Sequence, residues 1–165
     1  MKNLLFGGDK MEPYMIDLRR FIDDRGMLDQ IYEDTGTFED DVPFPIKRIY
    51  FTKTYRGTIR GMHGHKEEWK AFYVTKGMIK IVAYPMALTV PESSIVGGNL
   101  TKQLTFTLSD MKPQILIIPP NCYHGYMPLT DKARVLILSN ATLKESQEDD
   151  YRIAPIEELF KVENR

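Results

Sequence analysis

Apolar and polar residues in this chain alternate over short runs separated by turn residues, and recurrence at helical spacing is rare. The clearest β-rich runs are residues 46–52, 69–75, 78–84, 102–108, 114–118 and 134–138. Alternation is strict over 102–108, which predicts Leu104, Phe106 and Leu108 on a buried face and their polar neighbours toward solvent. The run 115–118 is apolar on both faces. Half-covered and fully covered strands together predict an all-β fold, a jelly-roll barrel or β-sandwich. One convincing helical stretch, residues 155–162, sets Ile156, Leu159 and Phe160 at helical spacing behind Pro155 and is expected to cap the barrel as a short C-terminal helix. Residues 86–99, with Pro91, Gly97 and Gly98, read as a long loop between strands.

Length and charge narrow the class. The 165 residues suit a single domain, with a barrel core over roughly 44–140 flanked by extensions 1–43 and 141–165. A formal net charge of −1 with scattered Lys and Arg gives no basic groove or stripe, so neither nucleic acid nor a membrane surface is expected as partner, and a small molecule is. The single cysteine, Cys122, allows no internal disulfide and fits a reducing compartment. The apolar patch Leu4-Leu5-Phe6 is too short for a signal peptide or membrane span, which makes a cytoplasmic location the expectation.

The candidate chemistry lies in the histidines. His63 and His65 sit two apart in a β-rich segment, so both would project from one face, and Lys70 follows on the next strand. If pairing brings His124 beside them, four titratable groups meet in an apolar cavity that disfavours their charged forms. Gly57, His63, His65, Lys70 and Gly77, followed by Pro119-Pro120-Asn121-Cys122-Tyr123-His124, resemble the two motifs of the cupins. Lys70 then stands where a metal-binding cupin carries Glu, and Asn121 replaces a glycine at a turn whose left-handed conformation Asn tolerates. Three histidines are also the ligand set of many metal-dependent cupins, and that reading stays open as an alternative. An ammonium at the fourth position repels a dication, so the expectation is no metal and no cofactor. A histidine beside a lysine suits proton abstraction next to a ketone, with the ammonium stabilising the enolate oxygen. Arg60 could hold a phosphate or the same oxygen, or form an ion pair with Glu67 or Glu68.

More specifically, Arg60-Gly61-Met62-His63, Lys70 and the segment Ile118-Pro119-Pro120-Asn121-Cys122-Tyr123-His124-Gly125-Tyr126 resemble the deoxythymidine-diphosphate 4-dehydrorhamnose 3,5-epimerase family. The resemblance implies a metal-free homodimeric cupin that epimerises a nucleotide-linked 4-keto sugar in deoxysugar or surface polysaccharide biosynthesis. It implies His63 as general base, Lys70 as enolate stabiliser, Arg60 and His124 as pocket residues, and Arg25 of Asp23-Asp24-Arg25-Gly26 as a nucleotide contact. Two features depart from the family: Ile137 stands where its acid tyrosine is expected, and the aspartate that pairs with the base has no counterpart readable in the chain. A second resemblance, to the sugar-nucleotide 3,4-ketoisomerases, rests on Pro43-Phe44-Pro45-Ile46-Lys47-Arg48-Ile49-Tyr50, His63-Gly64-His65-Lys66 and Glu148-Asp149-Asp150-Tyr151-Arg152-Ile153. It implies a His63/His65 pair that moves a proton between neighbouring carbons.

Other residues take plainer readings. Arg48 and Tyr50 are pocket candidates whose face alternation leaves open, and His65 joins the substrate-binding set. Tyr73, Tyr84, Tyr123 and Tyr126 are candidate acids or packing residues. Cys122 reads as a small buried side chain in preference to a nucleophile, and the Glu145–Asp150 run as a solvated turn. A cupin that binds a nucleotide sugar without chemistry is the competing class.

Overall fold

In the computed structural model, described for residues 12–33, 42–86 and 103–162, the chain forms two five-stranded antiparallel sheets packed face to face. The first holds, in spatial order, β1 (Tyr14–Asp17), β9 (Gln114–Ile118), β6 (Lys70–Lys76), β11 (Lys132–Ser139) and β4 (Arg48–Tyr55). The second holds β12 (Tyr151–Arg152), β5 (Arg60–His65), β10 (Cys122–Pro128), β7 (Met78–Pro85) and β8 (Leu104–Ser109). Successive strands repeatedly cross from one sheet to the other, which makes the sandwich a jelly roll. A hairpin, β2 (Arg20–Asp23) and β3 (Gly26–Asp29), forms its own small sheet.

All six sequence-predicted runs are strands, β4, β6, β7, β8, β9 and β11. On β8, Leu108 is buried, Leu104 and Phe106 are half-buried, and Thr105 and Thr107 are exposed, as the alternation requires. On β9, Leu116 and Ile118 pack in the interior between the sheets, while Ile115 and Ile117 pack outward beneath Tyr14, Ile16, Val42 and Phe44. A two-sided apolar strand is thus covered on both sides. The amino-terminal patch and residues 87–99 of the expected loop lie outside the described residues.

The helical expectation needs correction. The C-terminal stretch forms only a 3-10 turn, Glu157–Phe160, whose cap residue Ile156 supplies no side-chain hydrogen bond. Leu159 and Phe160 do seat it against Met62, Val82 and Tyr84 on the outer face of the second sheet. The α-helix lies earlier: α1 (Leu143–Glu148) starts from a capping box in which Thr142 and Glu145 satisfy each other's backbone amides. The spacing Thr-x-x-Glu is the local signal for this helix, in a segment whose polarity alone suggests a solvated turn.

Candidate active site

Strands β5 and β10 run side by side with His63 opposite His124 and His65 opposite Cys122. Cys122 and Tyr126 belong to the interior cluster, whereas Tyr123 packs outside, so the alternating His63, His65 and His124 face the interior. Gly61 lies so near β10 that a Cβ there would fall 2.5 Å from the Gly125 Cα, and side-chain-free positions are needed for this approach. The turn before β10 is held by Asn121 at φ 63°, whose amide donates to the His65 carbonyl at 2.6 Å. The left-handed turn expected of Asn121 is present. The His124 ring meets Phe72 edge-on, with centroids 5.5 Å apart.

The facing sheet contributes cross-strand rows. Arg48 on β4, Ser139 on β11 and Lys70 on β6 lie in one row, and Tyr50, Ile137 and Phe72 form the next row on the same face. The ionisable side chains gather at one end of the interior, and apolar side chains fill most of the rest. Lys70 is buried and its Nζ lies 2.7 Å from His65 Nε2. Burial pushes the Lys70 ammonium below its ordinary pKa, Glu68 opposes that shift, and Arg48 adds to it. His65 is pushed down by burial and then by Lys70, and His124 falls well below the usual histidine range through burial and the charges of Lys70, His65 and His63. His124 is therefore a neutral ring near pH 7.

Glu68 sits at the centre of this end, 3% exposed. Its carboxylate accepts from Ser139 Oγ at 2.6 Å, Ser146 Oγ at 2.7 Å and Arg48 Nη2 at 3.1 Å. Arg60 instead donates from Nε to Thr54 Oγ1 at 2.8 Å, so the ion pair considered for Arg60 belongs to Arg48.

The carboxyl-terminal segment supplies what sequence reading missed. After α1, Asp149 accepts from the backbone amides of Lys66, Glu67 and Glu68, fixing the turn between β5 and β6. Asp150 Oδ1 lies 3.0 Å from His63 Nδ1, and Arg152 Nε donates to its other oxygen at 2.7 Å. A carboxylate only accepts, so His63 carries its proton on Nδ1 and leaves Nε2 as a base. Burial raises the Asp150 pKa, but hydrogen bonds from Arg152 and His63 outweigh it and hold the group below its ordinary value. The Glu145–Asp150 run is thus a helix followed by two anchoring aspartates. Pairing of β12 with β5, Tyr151 to Gly64 and Arg152 to His63, aims Asp150 at the histidine. The Glu-Asp-Asp-Tyr-Arg motif was the one sequence signal for it.

Of the remaining candidates, Arg48 and Tyr50 both face inward on β4, with the guanidinium 4.8 Å from the Tyr50 ring centroid. Ile137, where the resemblance implies a tyrosine, is buried in the interior and directly paired with Tyr50. Tyr73 packs on the outer side and bonds Asp29, while Tyr84 and Tyr123 pack outside the second sheet. Tyr126 faces inward, but its hydroxyl is shared with Thr52 at 2.5 Å and Thr54 at 3.0 Å. Burial pushes the Cys122 thiol up to about 12, which leaves it un-ionised and unsuited to nucleophilic attack. Arg25 is not brought to this cluster within its own chain: it pairs with Asp23 at an exposed turn, and the hairpin is anchored through Arg20, Asp29 and Tyr73 on the outer face. Among the described residues no group of three His, Cys, Asp or Glu side chains converges to hold a metal ion. Lys70 Nζ meets the His65 Nε2 lone pair, the one a metal would need from that ring.

Two packed antiparallel sheets, with a carboxylate-backed histidine on one and a buried lysine on the other, define a cupin jelly roll. A sequence model of the dTDP-4-dehydrorhamnose 3,5-epimerase family matches residues 11–159, and the chain belongs to that family. Its relatives include the probable low-salt glycan biosynthesis epimerase Agl13 of Haloferax volcanii, 27% identical over 84% of this chain and 83% of that protein. Among solved structures, the sugar 3,4-ketoisomerase QdtA of Thermoanaerobacterium thermosaccharolyticum, in complex with TDP, is similar with TM-score 0.67 and 21% identity, covering 86% of this chain and 88% of QdtA. The 3,5-epimerase RmlC of Legionella pneumophila, in complex with dTDP-4-keto-L-rhamnose, gives 0.69 and 18%, covering 90% of this chain and 77% of RmlC. At these identities the structural likeness concerns the fold. No helix among the described residues is long and apolar enough to cross a membrane.

Proposed function

We propose that the protein abstracts a proton next to the ketone of a nucleotide-diphospho-4-keto-6-deoxy sugar. The His63–Asp150 pair carries this reading, because it leaves a partly exposed imidazole as base on the same strand face as His65, which the buried Lys70 contacts. His63 takes the proton from the carbon next to the ketone, and negative charge develops on the ketone oxygen. Lys70 supplies the counter-charge there, an interaction strongest in the transition state. Asp150 holds the tautomer and stabilises the imidazolium that forms. His124, kept neutral, serves as a hydrogen-bonding wall of the pocket, and Arg48, Arg60 and His65 line it.

Tyr50 is the proton donor best placed to replace the family tyrosine. It is the inward cross-strand neighbour of Ile137, and burial pushes its phenol up to about 12, so it stays protonated and able to donate. Return of a proton by Tyr50 to the opposite face of the enolate inverts that carbon. The ketoisomerase reading keeps a place because Ile137 removes the acid from its usual strand: a proton returned by His63 or His65 to the former ketone carbon, while the hydroxyl on the deprotonated carbon passes its proton to the old ketone oxygen, moves the ketone to the neighbouring carbon.

A homodimer fits the exposed apolar residues of the β2–β3 hairpin, where Ile22 is 76% exposed, and of the outward face of edge strand β4, where Phe51 is 64% exposed. In such a dimer Arg25 would serve the neighbouring subunit's nucleotide. A cytoplasmic setting, where nucleotide sugars are made, fits the single buried cysteine. Proton NMR of dTDP-4-keto-6-deoxyglucose in deuterated water tests the reaction. Loss of the C3 signal, alone or with C5, is expected with the intact protein and not with His63→Ala. No exchange with any keto sugar would leave a binding role.

A further inference from the structure

The carboxylate of Glu68 is contacted from five elements, yet it is nearly sealed from solvent. Arg48 comes from β4, His65 from β5, Lys70 from β6, Ser139 from β11 and Ser146 from α1. A buried carboxylate is strongly disfavoured unless paired, so this arrangement is built around a charge. Glu68 lies 3.6 Å from Lys70 Nζ and 3.1 Å from His65 Nδ1, while Lys70 Nζ lies 2.7 Å from His65 Nε2. An ammonium can only donate to Nε2, which puts the ring proton on Nδ1, facing Glu68. That last contact is an electrostatic one, because its angle falls outside an aligned hydrogen bond.

We propose that Glu68 is a positioning residue, a buried counter-charge that holds Lys70 as an ammonium ion and His65 as the tautomer protonated on Nδ1. Its part in catalysis rests on the keto-sugar reading above. The groups acting on Lys70 are Glu68, Arg48, Asp150 and His65, with the neutral His124 ring nearby. Burial and Arg48 drive Lys70 toward the neutral amine, and Glu68 is the main opposing influence. A neutral Lys70 cannot neutralise an enolate oxygen, so the carboxylate keeps the lysine competent without touching the substrate. The Lys70 charge, and after it the Ser139 and Ser146 hydroxyls, keep Glu68 itself ionised, although its burial works the other way.

The test uses the full chain labelled with carbon-13 lysine and nitrogen-15 histidine, with the Lys70 signal assigned by its loss in Lys70→Arg. In the native protein at pH 7, Lys70 is expected to be charged and His65 to carry its proton on Nδ1. In Glu68→Gln the Lys70 titration midpoint is expected to fall by about one pH unit or more. The alkaline limb of kcat should move down by the same interval, with kcat on the acid side near that of the native enzyme. A neutral Lys70 or an Nε2-protonated His65 in the native protein overturns the proposal. An unshifted Lys70 titration in Glu68→Gln does so too, including when kcat drops equally at every pH. Should Glu68→Gln not fold, the charge on Lys70 and the tautomer of His65 in the native protein still uphold or overturn the proposal. Should no keto sugar turn over, the reaction reading fails while the titrations still judge Glu68.

Discussion

Two histidines on β5, two residues apart on one face, each meet a carboxylate at nearly the same distance: His63 to Asp150 at 3.0 Å and His65 to Glu68 at 3.1 Å. Their surroundings differ. The His63 side chain is 34% exposed and that of His65 is 3% exposed. Asp150 reaches its histidine from the residue just before a two-residue strand at the sheet edge, whereas Glu68 is enclosed by five elements. An accessible histidine–carboxylate pair can exchange a proton with a substrate and then with water. An enclosed pair beside an ammonium instead fixes a charge distribution. A histidine facing a carboxylate thus serves as a proton carrier at the rim and as an electrostatic foundation below it.

Breaking the rim pair should have the largest effect. His63→Ala is expected to lower the rate of solvent-proton incorporation by about 1,000-fold or more, since the general base is lost, and NMR in deuterated water reads this directly. Asp150→Asn keeps the shape but removes the charge that supports the imidazolium, and kcat should fall by about 100-fold at all pH values where His63 acts as a base. Glu68→Gln should contrast with it by losing activity mainly on the alkaline side, so paired pH profiles separate the two roles. Tyr50→Phe sharpens the comparison on the substrate's other face. Inversion should fall by about 100-fold while proton loss at the same carbon persists, measured as exchange without a new stereoisomer.

Smaller effects fall on stability. Ser146→Ala removes one donor to Glu68 and should cost about 1 kcal/mol in urea unfolding. Asp149 gives a signed pH test. Burial raises its pKa, but three backbone amides outweigh this and hold it below its ordinary value. Its stabilising contribution is therefore complete above the unfolded carboxylate pKa and is lost as pH falls through the lower folded value. Asp149→Asn should flatten that part of the acid dependence of unfolding, as followed by chemical denaturation between neutral and acidic pH.

Strand periodicity, the His-x-His pair with Lys70, and the turn at Asn121 were readable because each depends on local geometry. A strand alternates every two residues, and a left-handed turn selects Asn or Gly. Local spacing therefore determined the all-β class, the common face of His63 and His65, and the inward set on β8. Four findings depended on distant pairing. Asp150 meets a histidine 87 residues earlier. Glu68, one of two adjacent glutamates in a turn, is selected for burial by Ser139 and Ser146 from later elements. Tyr50 acquires its place only through the β4–β11 register that sets it against Ile137. Arg25 leaves its own chain's cluster because its hairpin is anchored on the outer face. Local sequence fixes which way a side chain points from its own strand; which charges meet across the interior is set by strand order and register, and these exist only once the sheets have closed on each other.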